Sequence, residues 1–143
     1  MKEADVQTKF NQYVKARWPK GRSAAFELKI VKGLSLPFSN VQEHQVAGLL
    51  ASKIGKLVYK IPDAGLGKKP FDSMVLSETE AYVVAIFYRE RQYTKAYLID
   101  VEVWVTESET SSRASLTEER AQEIASDVFV LKESCQDKIS RLV

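Results

Sequence analysis

Two of the residue types that build most small catalytic centres are nearly missing from this chain. Among 143 residues there is one cysteine, Cys135, and one histidine, His44. One cysteine excludes an internal disulfide and any cysteine-built zinc site, and it suits a reducing compartment. One histidine argues against a metal centre of several imidazoles. Apolar runs are short as well: none approaches the ~20 residues that span a bilayer. The first residues lack the apolar core of a secretory leader. No repeat, low-complexity tract or linker marks a second domain. The expectation is therefore one cytoplasmic domain (host cytoplasm, if phage-encoded), without a membrane partner and large enough for a real core.

Acidic residues are scarce in one half only. Residues 1–69 hold 13 Lys/Arg and 5 Asp/Glu, a net of +8, whereas residues 70–143 hold 8 and 14, a net of −6. The overall +2 hides that asymmetry. A basic half suits a polyanion, and nucleic acid is the obvious candidate. The plainer alternative is a set of solvating lysines.

Periodicity predicts a mixed α/β order. Val6, Phe10, Tyr13 and Val14 have helical spacing over residues 3–17, ended by Pro19-Lys20-Gly21. A strand is expected over 23–31 and a loop over 32–40, where Pro37 opposes regular structure and Ser39 or Asn40 caps the next helix. That helix runs over 41–54 and stops at Gly55. Strands follow at 57–61, 71–76 and 81–88, the last two joined by the acidic turn 77–80. A long strand is expected over 95–105 and a loop over 106–114. Thr117 is the expected cap of a helix opening with Glu118-Glu119, and an apolar run 128–131 leads into an amphipathic tail. The predicted fold class is α/β, a mixed central sheet flanked by helices in a single domain. Tyr82, Phe87, Tyr97 and Trp104 are read as core on strands.

Within the first strand, Glu27-Leu28-Lys29 breaks the apolar run from Ala24 to Val31. No acid lies between Asp5 and Glu27. Strand alternation points Glu27 and Lys29 one way and Phe26, Leu28 and Ile30 the other. A carboxylate and an ammonium at the edge of a core are costly unless paired or employed. Metal-dependent phosphodiester cleavage employs that combination, an anionic ligand with a cation beside the attacked phosphate. Mg²⁺ (with Mn²⁺ as a substitute) prefers oxygen ligands. Glu27 supplies one, the Leu28 carbonyl another, and Lys29 assists the attacking water or offsets phosphate charge. Asp72, in Lys68-Lys69-Pro70-Phe71-Asp72, is the expected second carboxylate, being a lone acid at the start of a strand. Asp63 is second choice as a ligand, and a turn former before Ala64-Gly65 is the stronger reading of it. Glu3 is a candidate outer ligand, or a solvated helix charge.

A short Glu-x-Lys is weak alone, because surface strands carry it as an ion pair. Its company is more specific. Glu27-Leu28-Lys29, then Pro37-Phe38-Ser39-Asn40 and Glu43-His44-Gln45, resembles the RecU-type Holliday junction resolvases of the PD-(D/E)XK nuclease superfamily, over roughly residues 24–60. The resemblance implies a restriction-endonuclease-like fold, Mg²⁺ dependence, a homodimer and cutting of branched DNA such as the four-way junction. It makes Glu27 a metal ligand, Lys29 the catalytic lysine, and Gln45 and His44 neighbours of the metal or scissile phosphate. The other reading of His44 and Gln45 is a hydrogen-bonded pair fixing the helix. The family's aspartate normally precedes Glu-x-Lys. Here Pro70-Phe71-Asp72 follows it, as though that half of the motif were relocated downstream.

Lys15, Arg17, Lys20, Arg22, Lys68 and Lys69 are the side chains expected on phosphates. Trp18 is either a stacking platform or a helix-end anchor. Two other classes stay open. One is a non-catalytic DNA-binding module on the same fold. The other is a repair or degradative nuclease acting on different DNA.

Overall fold

Parallel strands need a long crossover between them, and the chain provides one early. The computed structural model describes residues 3–60, 71–88 and 94–132. Helix α1 (Glu3–Arg17) leads into strand β1 (Ala24–Val31). A short strand β2 (Ser35–Pro37) and a 3₁₀ turn (Phe38–Asn40) precede helix α2 (Glu43–Ile54). Strands β3 (Lys56–Lys60) and β4 (Ser73–Ser77) pair antiparallel as a separate hairpin. The chain then returns as β5 (Glu80–Phe87), parallel to β1. Strand β6 (Thr94–Asp100), helix α3 (Val101–Thr110), strand β7 (Ser115–Thr117), helix α4 (Glu118–Ile124) and strand β8 (Asp127–Lys132) complete the order.

The result is one α/β domain around a mixed sheet, strand order β1-β5-β6-β8, with one parallel pair. Strand β5 lies inside and every residue from Ala81 to Phe87 is buried, so it reads as a continuous apolar run. One face packs on α1 through Val6, Phe10, Tyr82, Val84, Leu98 and Phe129. The other packs on α2, α3 and α4 through Leu49, Val83, Tyr97, Trp104 and Ala121. Among the described residues no helix is long and apolar enough to cross a membrane.

Most expected elements are present within a residue or two, including α1, β1, the stop at Gly55 and the Thr117 cap, whose hydroxyl accepts from the Arg120 N–H. Three expectations fail. The strand over 95–105 ends at Asp100, and α3 occupies the rest together with the expected loop as far as Thr110. Val101, Val103 and Val105 mimic strand alternation. However, the buried pair is Val101 and Trp104, three apart, while Val103 is exposed. Asp100 switches the period by capping the helix, its carboxylate accepting from the Glu102 N–H at 2.9 Å. Trp104 is core as expected, but from a helix.

Pro37 does not prevent regular structure. It ends β2, which pairs with β7 in a small second sheet, an edge position where a missing N–H costs little. Finally, α2 is capped by Gln42 rather than Ser39 or Asn40. The Ile61-to-Pro70 segment and the tail beyond Lys132 lie outside the described residues.

Candidate cation site on the first strand

Local register explains where Glu27 and Lys29 point. In a parallel pair, partnered residues share a face, and Glu27 partners Val83 while Lys29 partners Ala85. Val83 and Ala85 belong to the α2 side of the sheet, and so do both charged groups. Phe26, Leu28 and Ile30 pack on the α1 side, as alternation requires. Phe26 sits in an aromatic cluster with Phe10, Trp18 and Tyr82, which holds this stretch of β1 in place from behind.

The backbone adds a second feature. Strand β1 is an outer strand of its sheet. The carbonyls of Ser23 and Val31 accept from the N–H groups of Glu80 and Tyr88, so the odd-numbered residues of β1 bond to β5. Alternation then turns the N–H and C=O groups of Ala24, Phe26, Leu28 and Ile30 away from β5. Among the described residues no strand pairs with that side. The Leu28 carbonyl thus faces the side of β1 that no described strand pairs with.

Two side chains approach the Glu27 carboxylate, one as a hydrogen-bond donor and one as an ion-pair partner. Gln45 Nε2 donates to Oε1 at 2.8 Å. Lys29 Nζ lies 3.5 Å from Oε1, while Oε2 has no hydrogen-bond partner among the described residues. Both charged side chains are partly exposed, 30% for Glu27 and 22% for Lys29. The site is therefore wet enough for a hydrated ion and sheltered enough for charge to matter. Gln45 stands at the third position of α2, where its Oε1 also accepts from the Gln42 N–H at 3.0 Å.

No hydrogen bond or ion pair joins the other expected site residues to Glu27 among the described residues. Asp72 lies exposed just before β4, on the hairpin rather than in the main sheet, with no hydrogen bond or ion pair among the described residues. Its charge is solvated, so the reasoning that a strand acid must be bound does not apply to it. His44 is exposed on the first turn of α2 and does not pair with Gln45. Glu3 opens α1. Asp63, Lys68 and Lys69 lie outside the described residues. Among the described residues no group of three or more His, Cys, Asp or Glu gathers as a metal cluster.

Lys15, Arg17, Lys20 and Arg22 are all exposed along the α1–β1 connection. Arg22 is internally committed: its guanidinium lies 4.5 Å from the Trp18 ring centroid and forks onto the Glu80 carboxylate. Trp18 is the helix-end anchor, half-buried, with its indole N–H on the Arg22 carbonyl at 2.9 Å. Tyr82 also donates to Glu80, at 2.6 Å. The Arg22 hydrogen bond is the main reason the Glu80 carboxyl is held down at about 2.

Sequence reading missed two groups. Lys53 on α2 bridges Asp100 at 2.6 Å and Glu102 at 2.9 Å, and the Asp100 hydrogen bond above all raises its pKa. These residues are far apart in sequence, and no spacing betrays them. The other is the Gln42/Gln45 capping box, whose one signal is a glutamine three residues on, since Gln42 stands where Ser or Thr usually caps. A cavity of about 590 Å³ lies elsewhere, between β6, β7 and α4, lined by Lys95, Tyr97, Arg113 and Glu118 among others. It holds none of the Glu27, Lys29 and Gln45 cluster.

The chain matches no protein-family model and no curated protein. The functional reading therefore rests on the site itself and on the motif order of residues 24–60.

Proposed function

We propose that this chain is a Mg²⁺-dependent, structure-selective DNA endonuclease of the PD-(D/E)XK kind, acting on four-way junctions as a homodimer in the cytoplasm. The carrying observation is the arrangement at Glu27: the Gln45 hydrogen bond goes to Oε1, Oε2 accepts none among the described residues, and the carbonyl of the next residue, Leu28, lies on the side of β1 that no described strand pairs with. A carboxylate oxygen and a strand carbonyl are hard oxygen donors, and Mg²⁺ binds through a few such ligands while keeping several waters. Glu27 and Leu28 would hold the ion; Asp72, exposed on the separate hairpin, is the proposed second carboxylate on the strength of the Pro70-Phe71-Asp72 motif alone. A divalent cation bound there supplies Lewis acidity at a phosphate oxygen and lowers the pKa of a bound water.

The remaining roles belong to the chain. Lys29 carries its ammonium on the same face as Glu27 and offsets charge on the attacked phosphate or orients the water. The exposed Lys15, Arg17 and Lys20 hold the DNA backbone without reading sequence. Two symmetric cuts call for two related sites, which is the mechanistic reason for a homodimer. The motif order over residues 24–60 supports the restriction-endonuclease-like assignment, with the aspartate moved downstream.

The test places a four-way junction, a flap and a linear duplex side by side with Mg²⁺. Cutting confined to the junction is expected, with Glu27→Ala and Asp72→Ala losing cleavage but retaining binding. Trimming of linear ends would move the assignment to another nuclease class. A second reading, DNA binding without cleavage, is favoured by one observation, that no three metal-binding side chains gather among the described residues. It predicts binding with no nicks under Mg²⁺ or Mn²⁺.

A further inference from the structure

One amide group connects the helix terminus to the proposed ion ligand. Gln45 Oε1 accepts from the Gln42 N–H at 3.0 Å, and its Nε2 donates to Glu27 Oε1 at 2.8 Å. A primary amide has an acceptor end and a donor end. Turning it over would put an oxygen against the carboxylate and an NH₂ against the Gln42 N–H, so both contacts would fail together. The orientation is fixed from two sides. The backbone of Gln45 is tied too, because the Gln42 side chain closes the other half of the capping box.

We infer that Gln45 is a positioning residue: it fastens Glu27 to the first turn of α2 through Oε1 and so reserves Oε2 for the divalent cation. The inference rests on the cation reading above. Carboxylate ligands are generally oriented by such outer hydrogen bonds, and losing one costs roughly 10–100-fold in metal affinity. Gln45 does not touch the reacting atoms. It acts through Glu27.

The experiment compares Mn²⁺ affinity by calorimetry, thermal midpoint in chelator, and the NMR side-chain amide signal of Gln45 without any cation. Gln42→Ala removes half of the cap but leaves the Gln45–Glu27 bond. It should lower the midpoint and leave Mn²⁺ affinity unchanged. Gln45→Leu should lose about tenfold or more in affinity. Gln45→Glu keeps an acceptor for the Gln42 N–H and sets a carboxylate against Glu27, so its midpoint should fall in chelator and recover with Mn²⁺. Wild-type affinity in Gln45→Leu, or equal weakening in Gln42→Ala, would overturn the inference. If the wild type binds no Mn²⁺, the cation reading falls. The tie is then judged alone: the Gln45 amide signal must move in Glu27→Ala, and an unmoved signal refutes it.

Discussion

Glu80 shows how one residue's charge is set by what surrounds it. Arg22 and Tyr82 both donate to it, and its carboxyl is held down at about 2 instead of 4.5, chiefly through the Arg22 hydrogen bond. A carboxyl depressed on folding stabilises the fold above its unfolded pKa and loses that contribution as pH falls through the folded value. The stabilisation is therefore full above about pH 4.5 and gone near pH 2. Glu80→Gln should lower the urea midpoint at pH 7, and its midpoint should converge on that of the wild type by about pH 2. An equal gap at both pH values would contradict the assignment. Residues of this kind were poorly legible beforehand: Arg22 was expected on phosphate, yet it serves Glu80, 58 positions away. Glu27 and Lys29 were legible because alternation within one strand is a local rule. The exposure of Asp72 was not, because whether a strand acid is buried depends on which sheet the strand joins.

At the scale of elements, caps decide where structure changes type. Asp100 ends β6, caps α3 and pairs with Lys53 of α2, three duties for one carboxylate. Asp100→Ala should cost about 1–2 kcal/mol from the cap alone, read as a lower denaturant midpoint with faster amide exchange at Glu102. Asp100→Asn, which keeps a capping oxygen but not the charge paired with Lys53, should recover the capping part of the loss. Exchange at Glu102 unchanged in the alanine variant would contradict the capping role. The misreading of 95–105 as one strand has the same source. Val101, Val103 and Val105 favour β structure by propensity, yet tertiary packing of Val101 and Trp104 overrides it. Only the aspartate at position 100 hinted at a boundary. By contrast α1 and α2 were visible at once, because apolar spacing and terminators agreed.

The whole molecule divides its labour across the sheet. The α1 face carries an aromatic cluster and the opposite face carries Glu27 and Lys29, with Gln45 of α2 on Glu27. Trp104 is nearly fully buried against Phe38 in that second face, so Trp104→Ala should cost roughly 3–5 kcal/mol in a urea melt. A loss under about 1 kcal/mol would deny it a central place in the core. Net charge also acts at this scale. Removing Lys15, Arg17 or Lys20 singly should weaken DNA binding evenly across sequences and reduce the salt slope by about one each. An unchanged slope would remove that residue from the DNA path. The mixed α/β class was readable from element order alone. The outer place of β1 among the described strands was not, since strand order follows from pairings far apart in sequence.

The cation itself is the most direct test. Mn²⁺ titrated into isotope-labelled protein should broaden the backbone signals of residues 26–29 and 45 first, and Glu27→Gln should abolish that selective broadening. Broadening centred instead on the Asp100–Glu102 region, or an identical pattern in Glu27→Gln, would contradict a divalent ion held at Glu27 and remove the chemical basis of the nuclease proposal.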